Sequence, residues 1–389
     1  MKKRNDSLRL VVFILILFSL SGLGPSEEHH SVPLDGSYLY DDNPVEASSA
    51  PVPEEPIKEA VIHWREEFEI DGKPQVAYFL ELNLENPNLE VFPVLSQDRI
   101  FGFEFLSEMN LRYEAAATVN AGFNHAYGQP SGLVVQNGRI ISGSSGYGRN
   151  LLIKDQKAWF LNSSIKTWIQ QGEEKLPVDR VNPYPQDRGI LIFTPEFGPA
   201  NRIEGKSTTC IVENNKVVSS EIVSGETDIP DNGYLIVDLR TDNSPLLSFI
   251  PGNEVKLSWE GEAEQGYQCS GSLVENGVNT AGENDPWAGS LGIPTPRTAV
   301  GIKDASTLIF LVVDGRQPGY SVGVTGKQLA DILISVGVTE AALLDGGASS
   351  QMIISGETVN RPSTGKERLL ASAFIIMEQT DDNSLFRNP

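Results

Sequence analysis

Cysteine and histidine are nearly absent from this chain of 389 residues, with only 2 Cys and 4 His. That excludes a Cys-rich zinc module and a disulfide-dense scaffold. Positive charge is also scarce: 30 Lys and Arg stand against 52 Asp and Glu, a formal net charge of −22. A nucleic-acid binder needs a cationic footprint for phosphates, so that class is excluded, and an anionic membrane surface is disfavoured as a partner. The Gly-rich segments contain neither a Rossmann fingerprint nor a P-loop with its Lys, which removes those modes of nucleotide binding. What remains is a globular composition, 40% hydrophobic and 21% charged.

Long apolar runs are few, and the first lies at the N-terminus. Lys2, Lys3 and Arg4 precede an apolar stretch from Leu10 to Leu20 that only Ser19 interrupts. This is the pattern of a secretory signal, and it is short of the roughly 20 residues a membrane-spanning helix needs. Residues 1–24 are therefore predicted to be a signal peptide or N-terminal anchor. Residues 25–58 turn to Pro, Ser, Asp and Glu and read as a linker. Residues 59–380 are expected to form one large domain, and 381–389 a flexible tail. The protein would then be secreted or extracellular, touching a membrane only through an uncleaved N-terminal segment. Export permits Cys210 and Cys269 to pair, while two buried free thiols satisfy the same spacing.

The body reads as strand-rich with few helices. Residues 76–84 and 88–96 look like two strands of a hairpin around Asn-Pro-Asn, and 103–119 like a first helix. Residues 131–143 and 208–220 read as hairpins, with Asn137-Gly138 and Asn214-Asn215 at their tips. Near the C-terminus, 307–315 is a continuous apolar run of the kind buried on both faces, ending at Asp314-Gly315. Thr325 then opens a helix with Gln328 completing a capping box, and Gly337 suits its left-handed end. Leu329, Ile332, Leu333 and Val336 share one helix face. A second short strand comes next and ends at Asp345-Gly346. The fold class expected is α+β or mixed α/β, one strand-rich domain with a mixed sheet and a few packed helices, including this strand–helix–strand unit. If its strands are parallel, a right-handed crossover brings Asp314 and Asp345 to one sheet edge, where active sites of such units lie. Gly346 and Gly347 would let a ligand approach the backbone. The alternative is that each Asp-Gly pair is only a turn.

Five blocks occur in order: VNAGF (119–123), PRTAVG (296–301), VDGRQPGYSVGVT (313–325), LLDGGASS (343–350) and NRPS (360–363). Together they resemble the phosphodiester glycosidase family. Asn124 stands where that family often has an aromatic, and Ala348 where a third Gly is common. The resemblance implies hydrolysis of the sugar–phosphate glycosidic bond of a sugar-1-phosphodiester, on an exported protein with a cell-wall or exopolysaccharide-type substrate.

That chemistry asks for particular residue types. Phosphate oxygens need cationic forks, for which Arg297, Arg316 and Arg361 lie inside matched blocks. A carboxylate must serve as base or nucleophile, and Asp314 or Asp345 takes that role. Asn120 and Asn360 would hydrogen-bond sugar or phosphate, Ser349 and Ser350 would donate to phosphate oxygens, and His125 is the one histidine close to a block. No cofactor is required, although the oxygens of Asp314 and Asp345 would suit Ca²⁺. The competing reading is a non-catalytic polysaccharide-binding or exopolysaccharide-assembly protein, in which Tyr147, Trp159 and Trp168 either stack on sugars from exposed loops or belong to the core.

Overall fold

The computed structural model describes residues 59–379, apart from Ser163 and residues 185–187. The expected leader, linker and tail lie outside the described residues. Among the described residues no helix is long and apolar enough to cross a membrane.

The strand Thr307–Val313 organises the molecule. Successive side chains of a strand point to opposite faces, so an uninterrupted apolar run must be covered twice. Leu308, Phe310 and Val312 enter one apolar cluster, and Ile309, Leu311 and Val313 another. The second face is covered by the helix Gly326–Ser335, whose Leu329, Ala330 and Leu333 are fully buried. Thr325 caps that helix by accepting from the Gln328 N–H, with Gln328 reaching back to the Thr325 N–H at 2.9 Å. Gly337 stands just beyond it at φ +90°, as expected.

Around this strand runs a seven-stranded sheet in the order Val61–Ile70, Lys73–Asn83, Thr307–Val313, Arg297–Asp304, Glu340–Leu343, Ser272–Glu275, Val278–Asn279. Its other face shares a core with two five-stranded sheets. One is built around Ala117–Asn120 and Ser372–Glu378, the other around Val134–Gln136 and Gln265–Gln268. A third five-stranded sheet, containing Lys206–Glu213 and Gly233–Asp238, shares one apolar cluster with the Val134–Gln136 sheet and packs a second on its other face.

The expected α+β or mixed α/β class is overturned. The described residues hold two α-helices, Leu106–Tyr113 and Gly326–Ser335, among many strands, and the fold is mostly β. Every ladder between named strands is antiparallel except Arg180–Val181 against Ile190–Phe193. One helix against one sheet face read as an α/β unit, but sheets rather than helices cover the other face. The crossover itself does place its strands in one direction. Thr307–Val313 and Glu340–Leu343 each run antiparallel to Arg297–Asp304, which lies between them. Asp314 and Asp345 therefore leave the sheet at the same end.

Two local expectations also fail. Lys73–Asn83 pairs with Val61–Ile70 and Thr307–Val313, whereas Leu89–Leu95 pairs with Ser372–Glu378. The Asn-Pro-Asn turn thus passes the chain between two sheets instead of closing a hairpin. The helix at 103–119 shrinks to Leu106–Tyr113, ended by Glu114 at φ +50°. Ala117–Asn120 is a wholly buried strand, where burial between neighbours outweighs alanine's helix preference. The hairpins at 131–143 and 208–220 form as expected, with Asn137, Gly138, Asn214 and Asn215 all at positive φ. Trp159 and Trp168 lie on strands, not loops.

Candidate active site

The Asp345 turn is fixed by backbone bonds on both sides. The Asp345 N–H donates to Ala121 O at 3.0 Å, and the Gly347 N–H to Pro296 O at 2.8 Å. This presses Gly346 so close to its neighbours that a β-carbon there would lie 3.0 Å from Pro296 O. Gly347 sits at φ +65°, and a β-carbon on it would meet the Arg316 guanidinium at 3.2 Å. The two glycines therefore serve geometry at this bend, and one of them presents bare backbone to a cation.

The Asp345 carboxyl is half-buried. Burial pushes its pKa up, against pulls from the Ser349 hydroxyl, the Arg368 charge and the Gly346 N–H. It faces a cavity of about 20 Å³ shared with Asn120, Asn124, Ser349 and Arg368 and roofed by Phe103 and Leu369. That volume suits about one water molecule.

Asp314 meets a different environment, being 1% exposed. Its Oδ1 accepts from Asn360 Nδ2 at 2.9 Å, and its Oδ2 from the Arg361 N–H at 2.9 Å and from the Tyr320 hydroxyl at 3.2 Å. Burial raises its pKa while those donors pull it back. Asp314 is absent from the wall of the Asp345 cavity.

A chain of buried polar side chains joins the two ends. Asn360 Nδ2 also donates to Ser350 O at 3.1 Å, and Ser350 Oγ lies 3.1 Å from Thr298 Oγ1. Thr298 in turn donates to Asn120 Oδ1 at 2.9 Å, and Asn120 Nδ2 donates to Asp345 O at 2.7 Å. Asn120 Oδ1 further accepts from the Gln351 N–H, and Asn360 Oδ1 from the Met352 N–H. Both asparagine amides, predicted to face substrate, are thus occupied inside the fold.

The arginines divide similarly. Arg297 is 4% exposed and makes no ion pair with a carboxylate among the described residues; its Nε donates to Val324 O, and its Nη2 to Ser290 O and Ile293 O. Burial and the nearby Arg316 charge lower its pKa. Arg316 is exposed and holds a left-handed backbone at φ +60°. An exposed cation at a left-handed position thus stands beside a buried one in a chain of charge −22. Arg361 lies apart, its guanidinium 4.0 Å over the Tyr320 ring. His125 faces a separate cleft of about 710 Å³.

Asp345, Gly346, Gly347, Ser349, Asn120, Arg297 and Arg316 are therefore gathered at one bend. Asp314, Asn360 and Arg361 form a second cluster, linked through Ser350. A shared Ca²⁺ does not fit: no group of three or more His, Cys, Asp or Glu converges among the described residues, and the Asp314 oxygens already accept protein donors. Cys210 and Cys269 are buried free thiols, each pushed up to about 12 by burial.

Three residues of the site were not singled out from sequence. Thr298 lies inside a matched block, which was the available signal. Arg368 comes after the last block with no motif around it. Trp287 is half-buried between Phe123 and Tyr147, at ring distances of 5.8 and 5.5 Å. Its hairpin is held by Asp285, which accepts from the Trp287 N–H and the Tyr147 hydroxyl, and by Arg297 through Ser290.

Residues 196–377 match the phosphodiester glycosidase family. The match takes in both acids and Arg297, Arg316, Arg361 and Arg368, while Asn120 lies before it. It supports a glycosidase-type, hydrolytic function for the matched residues. The chain is 34% identical over 110 residues to the SPbeta prophage-derived uncharacterized protein YomE of Bacillus subtilis (strain 168), covering 28% of this chain and 17% of that protein. Among solved structures it resembles a hypothetical protein from Synechocystis, with TM-score 0.68 and 20% identity, covering 82% of this chain and 62% of that one. At that identity the likeness concerns the fold. The zebrafish N-acetylglucosamine-1-phosphodiester alpha-N-acetylglucosaminidase catalytic domain, auto-inhibited by its pro-peptide, is matched with TM-score 0.47 and 13% identity, covering 84% of this chain and 86% of that one.

Proposed function

We propose that this protein is an exported glycosidase that hydrolyses the sugar–phosphate bond of a sugar-1-phosphodiester, with a cell-envelope glycopolymer as its substrate class. The observation that carries the reading is the Asp345 bend, where a carboxyl raised by burial adjoins a water-sized cavity and two neighbouring arginines.

Asp345 acts as general base. A phosphate monoester leaves readily, so the reaction needs an activated water more than an acid. The water oxygen bonds to the anomeric carbon while its proton passes to the Asp345 carboxylate. The carbon–oxygen bond to phosphate breaks, and its electron pair stays on the phosphate. A raised pKa makes Asp345 a stronger base near neutral pH. Arg316, against the bare Gly347 backbone, binds the phosphate, and Arg297 adds charge from behind. Asn120, Thr298, Ser350, Asn360 and Asp314 are positioning residues that hold the bend.

The test is turnover by the full chain on sugar-1-phosphodiesters, starting with the methyl diester of N-acetylglucosamine-1-phosphate and varying the sugar. Release of free sugar with a phosphate monoester supports the proposal. No release across the panel from folded protein favours the non-catalytic polysaccharide-binding alternative.

A further inference from the structure

A roomy cleft lies next to the Asp345 bend and takes no part in the chemistry above. It encloses about 710 Å³, within the range of about 300–1,000 Å³ usual for ligand sites. One loop connects the two places. Asn124 lines the Asp345 cavity, and the next residue, His125, lines the large cleft.

That loop is rigidly built. Asn124 bridges to Pro130, and the His125 N–H donates to Gln129 O at 2.7 Å. Gly128, at φ +88°, is pressed so tightly that a β-carbon on it would lie 2.0 Å from Gly102 O. The consequence falls on Tyr127. It adopts φ +65°, a conformation that side-chain-bearing residues disfavour, and the residue is 69% exposed. Tyr184 stands across from it, 42% exposed, with the rings edge to face at 6.5 Å. Backbone strain that holds an aromatic in solvent has no value for packing.

The chemistry of the wall narrows the ligand. In a chain of charge −22, the described residues of the cleft wall carry one carboxylate, Asp179, and one guanidinium, Arg180, beside the His125 imidazole. Asp179 already accepts from the Ile190 N–H at 2.7 Å. Most other polar side chains of the described wall are hydroxyl and amide groups, among them Ser144, Ser145 and Gln129. Neutral hydrogen-bonding groups under exposed tyrosine rings suit sugars, which present hydroxyl edges and apolar ring faces.

We propose that this cleft is a glycan subsite, binding the neutral sugar units that continue from the diester at Asp345. The substrate class is then an oligo- or polysaccharide phosphodiester. The link to Asp345 rests on the glycosidase reading, whereas glycan binding by the cleft does not.

Calorimetric titration of the full chain separates the two. The probes are chitotetraose, cellotetraose and maltotetraose, each against its own monosaccharide. At least one tetrasaccharide should bind ten-fold or more tighter than its monosaccharide. Tyr127→Ala should erase that preference and Tyr127→Phe should retain it. A lack of length preference with all three, or a preference that survives Tyr127→Ala, overturns the subsite. Turnover of a monosaccharide diester should be unchanged in Tyr127→Ala, so loss of the subsite and loss of the glycosidase reading give different results.

Discussion

Asp314 and Asp345 are near twins in sequence and opposites in structure. Each ends a buried strand, each precedes glycine, and both strands run the same way in one sheet. Yet Asp314 is sealed under Asn360, the Arg361 backbone and Tyr320, while Asp345 keeps an open face on a cavity. The difference comes from the path of the chain beyond each glycine. After Gly315 the chain turns tightly against its neighbours, and a β-carbon there would lie 2.6 Å from Pro296 N. The Ser321 hydroxyl, donating to Asp314 O, closes that turn. After Gly346 comes a second glycine, which keeps the bend free of side chains. An identical dipeptide therefore yields an acid sealed by donors in one place and an acid that borders a cavity in the other.

The largest separation between the twins is expected at Asp345. Asp345→Asn keeps the shape and removes the base, so kcat should fall by about 10²- to 10⁴-fold with the fold retained. The wild-type rate should itself decline as pH falls through the raised Asp345 pKa, because the base must be ionised; a pH–rate profile in folded protein checks both. A variant with wild-type kcat would move the chemistry elsewhere.

Asp314 should respond in stability instead. Asp314→Ala leaves the Asn360 amide, the Arg361 N–H and the Tyr320 hydroxyl without their acceptor in a buried place. Stranded donors cost about 1–3 kcal/mol each and do not add simply, so a loss of about 3 kcal/mol is expected in denaturant unfolding. The folded fraction should retain most of its kcat. A large kcat loss at unchanged stability would show that the two acids share the chemistry.

The contrast also explains what the sequence could reveal. The apolar run of 307–313, the capped helix and the two Asn-tipped hairpins were legible because each rests on local periodicity or turn chemistry. The meeting of both acids at one sheet end was legible as well, through the crossover. The burial of Asp314 was not, since its donors come from residues 320, 360 and 361. Nor was the occupation of the Asn120 amide by Thr298, Gln351 and Asp345, whose side chain and backbone groups come from far along the chain. The mostly β architecture was missed for a related reason: one amphipathic helix is visible locally, while sheets stacked on the opposite face are long-range facts.

The mildest change tests the glycine that separates the two aspartates. Gly347→Ala adds one methyl group at φ +65°, where an L-residue is disfavoured by roughly 1–2 kcal/mol. The methyl would lie 3.2 Å from an Arg316 nitrogen, at the far end of an exposed, flexible side chain that can yield. The stability loss should therefore stay near the backbone term alone, about 1 kcal/mol in denaturant unfolding. Displacing Arg316 should weaken the grip on phosphate, raising KM several-fold while kcat falls less, since Asp345 and its cavity are untouched. An equal fall in kcat and kcat/KM would instead place Arg316 in the transition state alone, and an unchanged KM would remove it from phosphate binding.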